Sequence, residues 1–214
     1  MFGVEQIGIA YQVAAVVAPL VAYFFFLGLL NSQKTPQIIS ARTDFIVLNV
    51  AFFPALFMPV LNYIGASVPT LLIVLAGVIV VVMVLAPARR GNWVIYNITL
   101  PEALRAAGRA LQAMGEGFEH RGRRITLRRS DVIITFASMP LLRNVSVSVK
   151  GADVKTFHEK FEPMFTEQLT AITTTASPMA VTFLLIATAM MVAPLGFLAD
   201  RVPEMVRLIT DLLR

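Results

Sequence analysis

Leu71–Ala86, LLIVLAGVIVVVMVLA, runs for sixteen residues without a charge or an amide, and nothing in it is more polar than Gly77. Extended back to Val68 it reaches nineteen residues. At about 1.5 Å per helical residue that length covers the roughly 30 Å hydrocarbon layer of a bilayer. Arg89 and Arg90 follow directly, and basic residues at the end of a span mark its cytoplasmic side. The stretch therefore predicts a membrane span leading into a cytoplasmic segment.

The rest of the chain agrees with that solvent. Of its 214 residues 57% are hydrophobic and 14% charged, against about 25% charged in soluble domains, and mean hydropathy is +0.75. Working back toward the N-terminus, residues 7–30 and 45–64 read as two further spans. Gly65-Ala66-Ser67 closes the second and third spans (68–86) into an antiparallel hairpin. Residues 31–44 read as a polar loop with Lys34 and Arg42. Pro54 and Pro59 should kink the second span. Gln12 in the first span and Asn49 and Asn62 in the second predict interhelical packing, with Asn49 expected to bond across helices. No ionisable residue lies deep in a span, which argues against proton- or ion-coupled transport by this chain alone.

Beyond Arg90 the pattern changes. Residues 88–172 read as β-α-β-β-β-α. Trp93–Thr99 predicts a strand, and Thr99-Leu100-Pro101-Glu102 a capping box. A helix follows with Leu104, Ala107, Leu111 and Met114 inward, closed by Gly115. Phe118–Arg129 predicts a bent strand or strand pair turning at Arg121-Gly122. Val132–Ala137 predicts a strand, and Asn144–Val149 alternates with its valines inward. Val154, Phe157, Phe161, Phe165 and Leu169 form one helical stripe, with a break expected at Pro163. Ser177-Pro178 then starts a fourth span within 173–199. An amphipathic helix is expected over 200–214. The fold class expected is an α-helical integral membrane protein of four transmembrane helices carrying an inserted small α+β (βαβββα) domain.

The formal charge of +5 lies wholly in that domain: Arg89–Glu167 holds ten Arg and three Lys against eight acids, and the remainder balances. Counting Lys and Arg in the short loops places residues 88–172 in the cytoplasm and both termini outside; the compact inserted domain suggests a bacterial inner membrane.

Chemistry is sparse. Cysteine is absent, which excludes disulfides, thiolate metal ligands and a cysteine nucleophile. No phosphate-cradling glycine loop or serine-triad motif occurs. His158 and Glu162 sit four residues apart on one helix, a spacing that can hold a metal, but no third ligand accompanies them. No catalytic residue, metal or cofactor is assigned.

The strongest feature is Arg121, Arg123, Arg124, Arg128 and Arg129, joined by Arg89 and Arg90. Read by alternation along one strand, Arg121 and Arg123 separate from Arg124. The cluster suits anionic headgroups, an acidic partner surface, or a solvated strand edge kept from pairing by its charges. Nucleic acid is disfavoured, because no aromatic pattern interleaves the arginines. The expected partners are membrane lipids and other membrane subunits or a second copy of the chain. The expected function is a non-catalytic accessory or scaffold subunit; the alternatives are an oligomeric pore or transport component and a membrane-tethered ligand or lipid sensor.

Overall fold

The computed structural model describes residues 3–63, 68–87, 91–152 and 154–199, with single positions 203 and 210. The expected turn at Gly65–Ser67, the Arg89–Arg90 pair and the 200–214 helix lie outside the described residues.

Among the described residues six α-helices and six strands follow in the order α1 (Gly3–Ser32), β1 (Gln37–Ser40), α2 (Ala41–Tyr63), α3 (Val68–Leu85), β2 (Asn92–Tyr96), α4 (Leu100–Ala113), β3 (Phe118–Arg121), β4 (Arg124–Leu127), β5 (Ile133–Met139), β6 (Asn144–Lys150), α5 (Val154–Thr170) and α6 (Pro178–Ala199). The strands make one sheet, β1-β2-β6-β5-β4-β3, with every neighbouring pair antiparallel.

The first strand corrects the expected loop over 31–44. Gln37–Ser40 pairs with Trp93–Tyr96, so the sheet of the α+β unit takes its edge strand from between the first two long helices. Ile38 joins the core beneath α4 and α5, while Ile39 joins the opposite face.

On the core face, Ile95, Ile125, Ile134, Phe136, Val145 and Val147 are almost wholly buried against α4 and α5. Helix α4 starts as its cap predicts: the Glu102 carboxylate accepts the Thr99 N–H at 2.9 Å and its hydroxyl at 2.6 Å. Burial pushes the Glu102 pKa up, but the Thr99 donors, with Arg143 and Arg105 nearby, hold it below its ordinary value. The helix is packed mainly by Ala103, Ala106, Ala107, Ala110 and Leu111. Leu104 and Met114, expected inward, are only partly buried, because the alanines let α4 sit close to the sheet. Helix α5 buries the expected stripe, with Phe157, Phe161 and Phe165 stacked at 5.0 Å centroid spacings. It runs unbroken through Pro163. Pro163 is exposed, as is Glu159, whose carbonyl loses the Pro163 donor.

Among the described residues two helices, over Val13–Ser32 and Ala41–Val60, are long and apolar enough to cross a membrane by length and composition; their mean hydropathies are 2.5 and 1.7. Leu72–Leu85 and Pro178–Val192 are shorter apolar stretches. Helices α1 and α6 pack closely where Gly28 faces Leu184 and Ala180. A Cβ on Gly28 would lie 2.7 Å from both Cγ and Cδ2 of Leu184. Ala180 and Ala187, on the same side of α6, are almost fully buried, a small-residue contact that lets two helices approach closely. We expect Gly28→Ala to cost about 1–3 kcal/mol through overpacking, and Gly28→Ala with Leu184→Ala to recover most of it. Thermal unfolding of the detergent-solubilised chain checks both; equal melting of the wild type and Gly28→Ala would contradict this packing.

Candidate interaction surface

The arginine cluster divides in space. Gly122, at φ +61, turns the chain back on itself, and Arg121 pairs with Arg124 across the hairpin. Directly opposite residues of antiparallel strands share a face, so Arg121 and Arg124 stand together. This corrects the alternation reading, which carried one strand straight through the turn. Arg121, Arg123, Arg124 and Thr135 line one open groove. Arg128 and Arg129 lie past the far end of β4, and all five arginines are exposed. Glu119 neutralises part of the groove, holding Arg121 at 2.9 Å.

The register extends that face across the whole sheet. Arg124 opposes Thr135, Thr135 opposes Ser148, and Ser148 opposes Asn92. The same face of β2 therefore carries Val94 and Tyr96, which pack with Leu27 of α1 and Phe183 of α6. One end of this face is seated on the long helices, and the other end carries the groove.

A buried polar junction joins sheet to helices. Asn97, at φ +56, ends β2 and donates through Nδ2 to the Gln33 carbonyl and to Thr174 Oγ1, each at 2.8 Å. The Thr174 N–H donates to the Lys34 carbonyl at 2.7 Å and the Ser177 N–H to that of Asn31 at 3.0 Å. Asn31, Asn97 and Ser177 are almost fully buried. The strand expected over Trp93–Thr99 runs through Asn97; the positive φ there ends β2 at Tyr96 instead, and no structural role is expected of Asn97 or Thr174 from the sequence. Nearby, the Tyr96 hydroxyl donates to the Asp44 carboxylate at the start of α2. Burial, then that bond, pushes the Tyr96 phenol well above its ordinary range.

The remaining singled-out residues stay apart from this surface. Asn49 donates to the Phe45 carbonyl of its own helix at 2.7 Å, not across helices as expected. Pro54 and Pro59 lie within the continuous α2. Gln12 and Asn62 fall in α1 and α2, with their side chains outside the description. His158 packs on Trp93, ring centroids 4.9 Å apart, and meets Glu162 at 3.3 Å. Among the described residues no group of three or more His, Cys, Asp or Glu comes together. No protein-family model matches the chain, and no curated protein or solved structure does.

Proposed function

We propose that this chain is an accessory or scaffold subunit of a membrane, non-catalytic, with α1, α2, α3 and α6 as four spans and the basic α+β layer on the cytoplasmic side. The observation that carries the reading is α3. Leu72, Ile73, Ile79, Val80, Val84 and Leu85 are each at least half exposed, and they point in different directions around the helix. A Cβ added at Gly77 would meet nothing within 4 Å. Its link to α2 includes the Arg42 guanidinium, donating to Met83 Sδ at 3.5 Å. Such a helix is unstable in water and has most of its circumference open to lipid or to another membrane protein. Helices α2 and α6 add exposed Val50, Leu56, Val181 and Leu185.

Mild extraction of the tagged chain is expected to retrieve a stoichiometric membrane partner. Replacing the α3 surface residues Ile73, Val80 and Val84 with leucine keeps the span but alters its shape, and is expected to release that partner. A chain recovered alone in both forms, as a monomer in nanodiscs, rejects the scaffold reading. Removal of the protein from vesicles by carbonate washing rejects the membrane reading itself.

A second reading, a membrane-tethered sensor, is favoured by the Asn97–Gln33–Thr174 junction, which would carry a shift of the sheet directly into α1 and α6.

A further inference from the structure

We infer that the tip of the β3–β4 hairpin, with the groove of Arg121, Arg123 and Arg124, is a binding site for anionic lipid headgroups of the bilayer that holds the chain. This inference rests on the membrane reading above.

The placement comes from the tethers. β1 is reached from α1 through residues 33–36 and passes at once into α2, while β2 follows α3 after residues 86–91. The Tyr96 end of β2 is held by α1 and by the segment entering α6, through Asn97, Gln33 and Thr174. Both ends of the β1–β2 ribbon are thus fixed to embedded helices by a few residues each. The ribbon lies along the membrane surface, with Ile39, Val94 and Tyr96 turned down onto the span ends.

The sheet's twist then decides where the arginines go. β2 and β3 run parallel, because four antiparallel steps separate them. Helix α4 joins them over the face away from the spans, and such crossovers are right-handed. Successive strands rotate by about 20–25°, so three steps from β2 turn β4 by about 60–75°. For a right-handed crossover on the upper face, that rotation lowers the strand ends lying on the Tyr96 side. The Arg121–Arg124 tip is on that side, since β3 runs parallel to β2. At about 4.8 Å per strand the tip stands about 14–19 Å beside the ribbon, away from the strand whose Val94 and Tyr96 pack on α1 and α6.

A second feature lies at the same strand ends. The β5–β6 turn places Met139, 61% exposed, on the downward face, followed by exposed Pro140. Leu142 of that turn packs with the span-end cluster. An apolar turn beside the spans next to an arginine groove matches the layering of a bilayer interface, acyl boundary below and phosphates above. The guanidinium fork pairs with phosphate oxygens two at a time, and Thr135 adds a hydroxyl to the groove.

The chain has no cysteine, so Thr126→Cys, an exposed position on the downward face of β4, can carry a single fluorophore. The full chain is reconstituted in phosphatidylcholine vesicles with and without phosphatidylglycerol, each doped with a headgroup-quenching lipid. Quenching is expected to be strong only with phosphatidylglycerol. Arg121→Gln, Arg123→Gln and Arg124→Gln together should lower the docked-to-undocked ratio roughly a hundredfold, at roughly fivefold per arginine near an anionic surface. A control triple, Arg105→Gln, Arg109→Gln and Arg129→Gln, removes the same charge and should leave quenching unchanged. Equal quenching in both lipids, or equal loss in both triples, overturns the headgroup site while the protein remains embedded after carbonate washing. Loss of the protein from the vesicles overturns instead the membrane reading beneath it.

Discussion

Replacing Phe161 with alanine is expected to lower the stability of the sheet-and-helix layer by about 3–5 kcal/mol, the usual cost of emptying a large aromatic site. Phe161 is fully buried. It stacks between Phe157 and Phe165 and lies 6.2 Å from the Trp93 ring. Its removal breaks both stacked pairs as well as opening a cavity under β2. Trp93 is the chain's single tryptophan, so its fluorescence reports this layer alone. A shift in that unfolding transition of less than about 1 kcal/mol would show that the layer is not packed around this ladder.

The second large effect belongs to the junction. Asn97→Ala is expected to cost about 2–4 kcal/mol, combining the two lost hydrogen bonds and a left-handed backbone that alanine resists. Asn97→Gly separates these contributions, since glycine accepts the positive φ yet restores no bond. Glycine should therefore recover only the backbone part. Full recovery by glycine would mean that the bonds to Gln33 and Thr174 contribute nothing. The same variants probe the sensor reading: a weakened junction should raise protease access to residues 33–36 and 171–177 before the sheet itself unfolds.

Much of this architecture is written plainly in residue order. The aromatic stripe of α5 and the alternating valines of β6 repeat at the period of the element they build, so periodicity alone finds them, and the Thr99–Glu102 cap is a four-residue signature read directly. Three things escape that logic. β1 is four residues long, too short to show a period, and its pairing is set by where α1 ends and α2 begins. The arginine groove depends on a chain reversal at Gly122, which converts neighbours in sequence into partners across a ladder. Helix α4 presents alanine, a residue whose inward position no hydropathy contrast announces. Asn49 shows the same boundary from the other side: an amide inside a long apolar helix is legible, but which carbonyl it reaches is a matter of rotamer and neighbours. The site is legible only as a list of arginines; its division into a groove and two outlying charges belongs to the fold.

The edge strand has one more implication, for biogenesis. Gln37–Ser40 leaves the ribosome long before its partner Trp93–Tyr96, and everything made between them is the α2–α3 hairpin. On the proposed reading of α2 and α3 as spans, the waiting strand and its late-arriving mate meet only once the pair has returned the nascent chain to the compartment it left. On that reading, a chain inserted with one helix too few would strand the two on opposite sides, leaving an unpaired edge for proteolytic surveillance to detect, and completion of the sheet would proofread insertion.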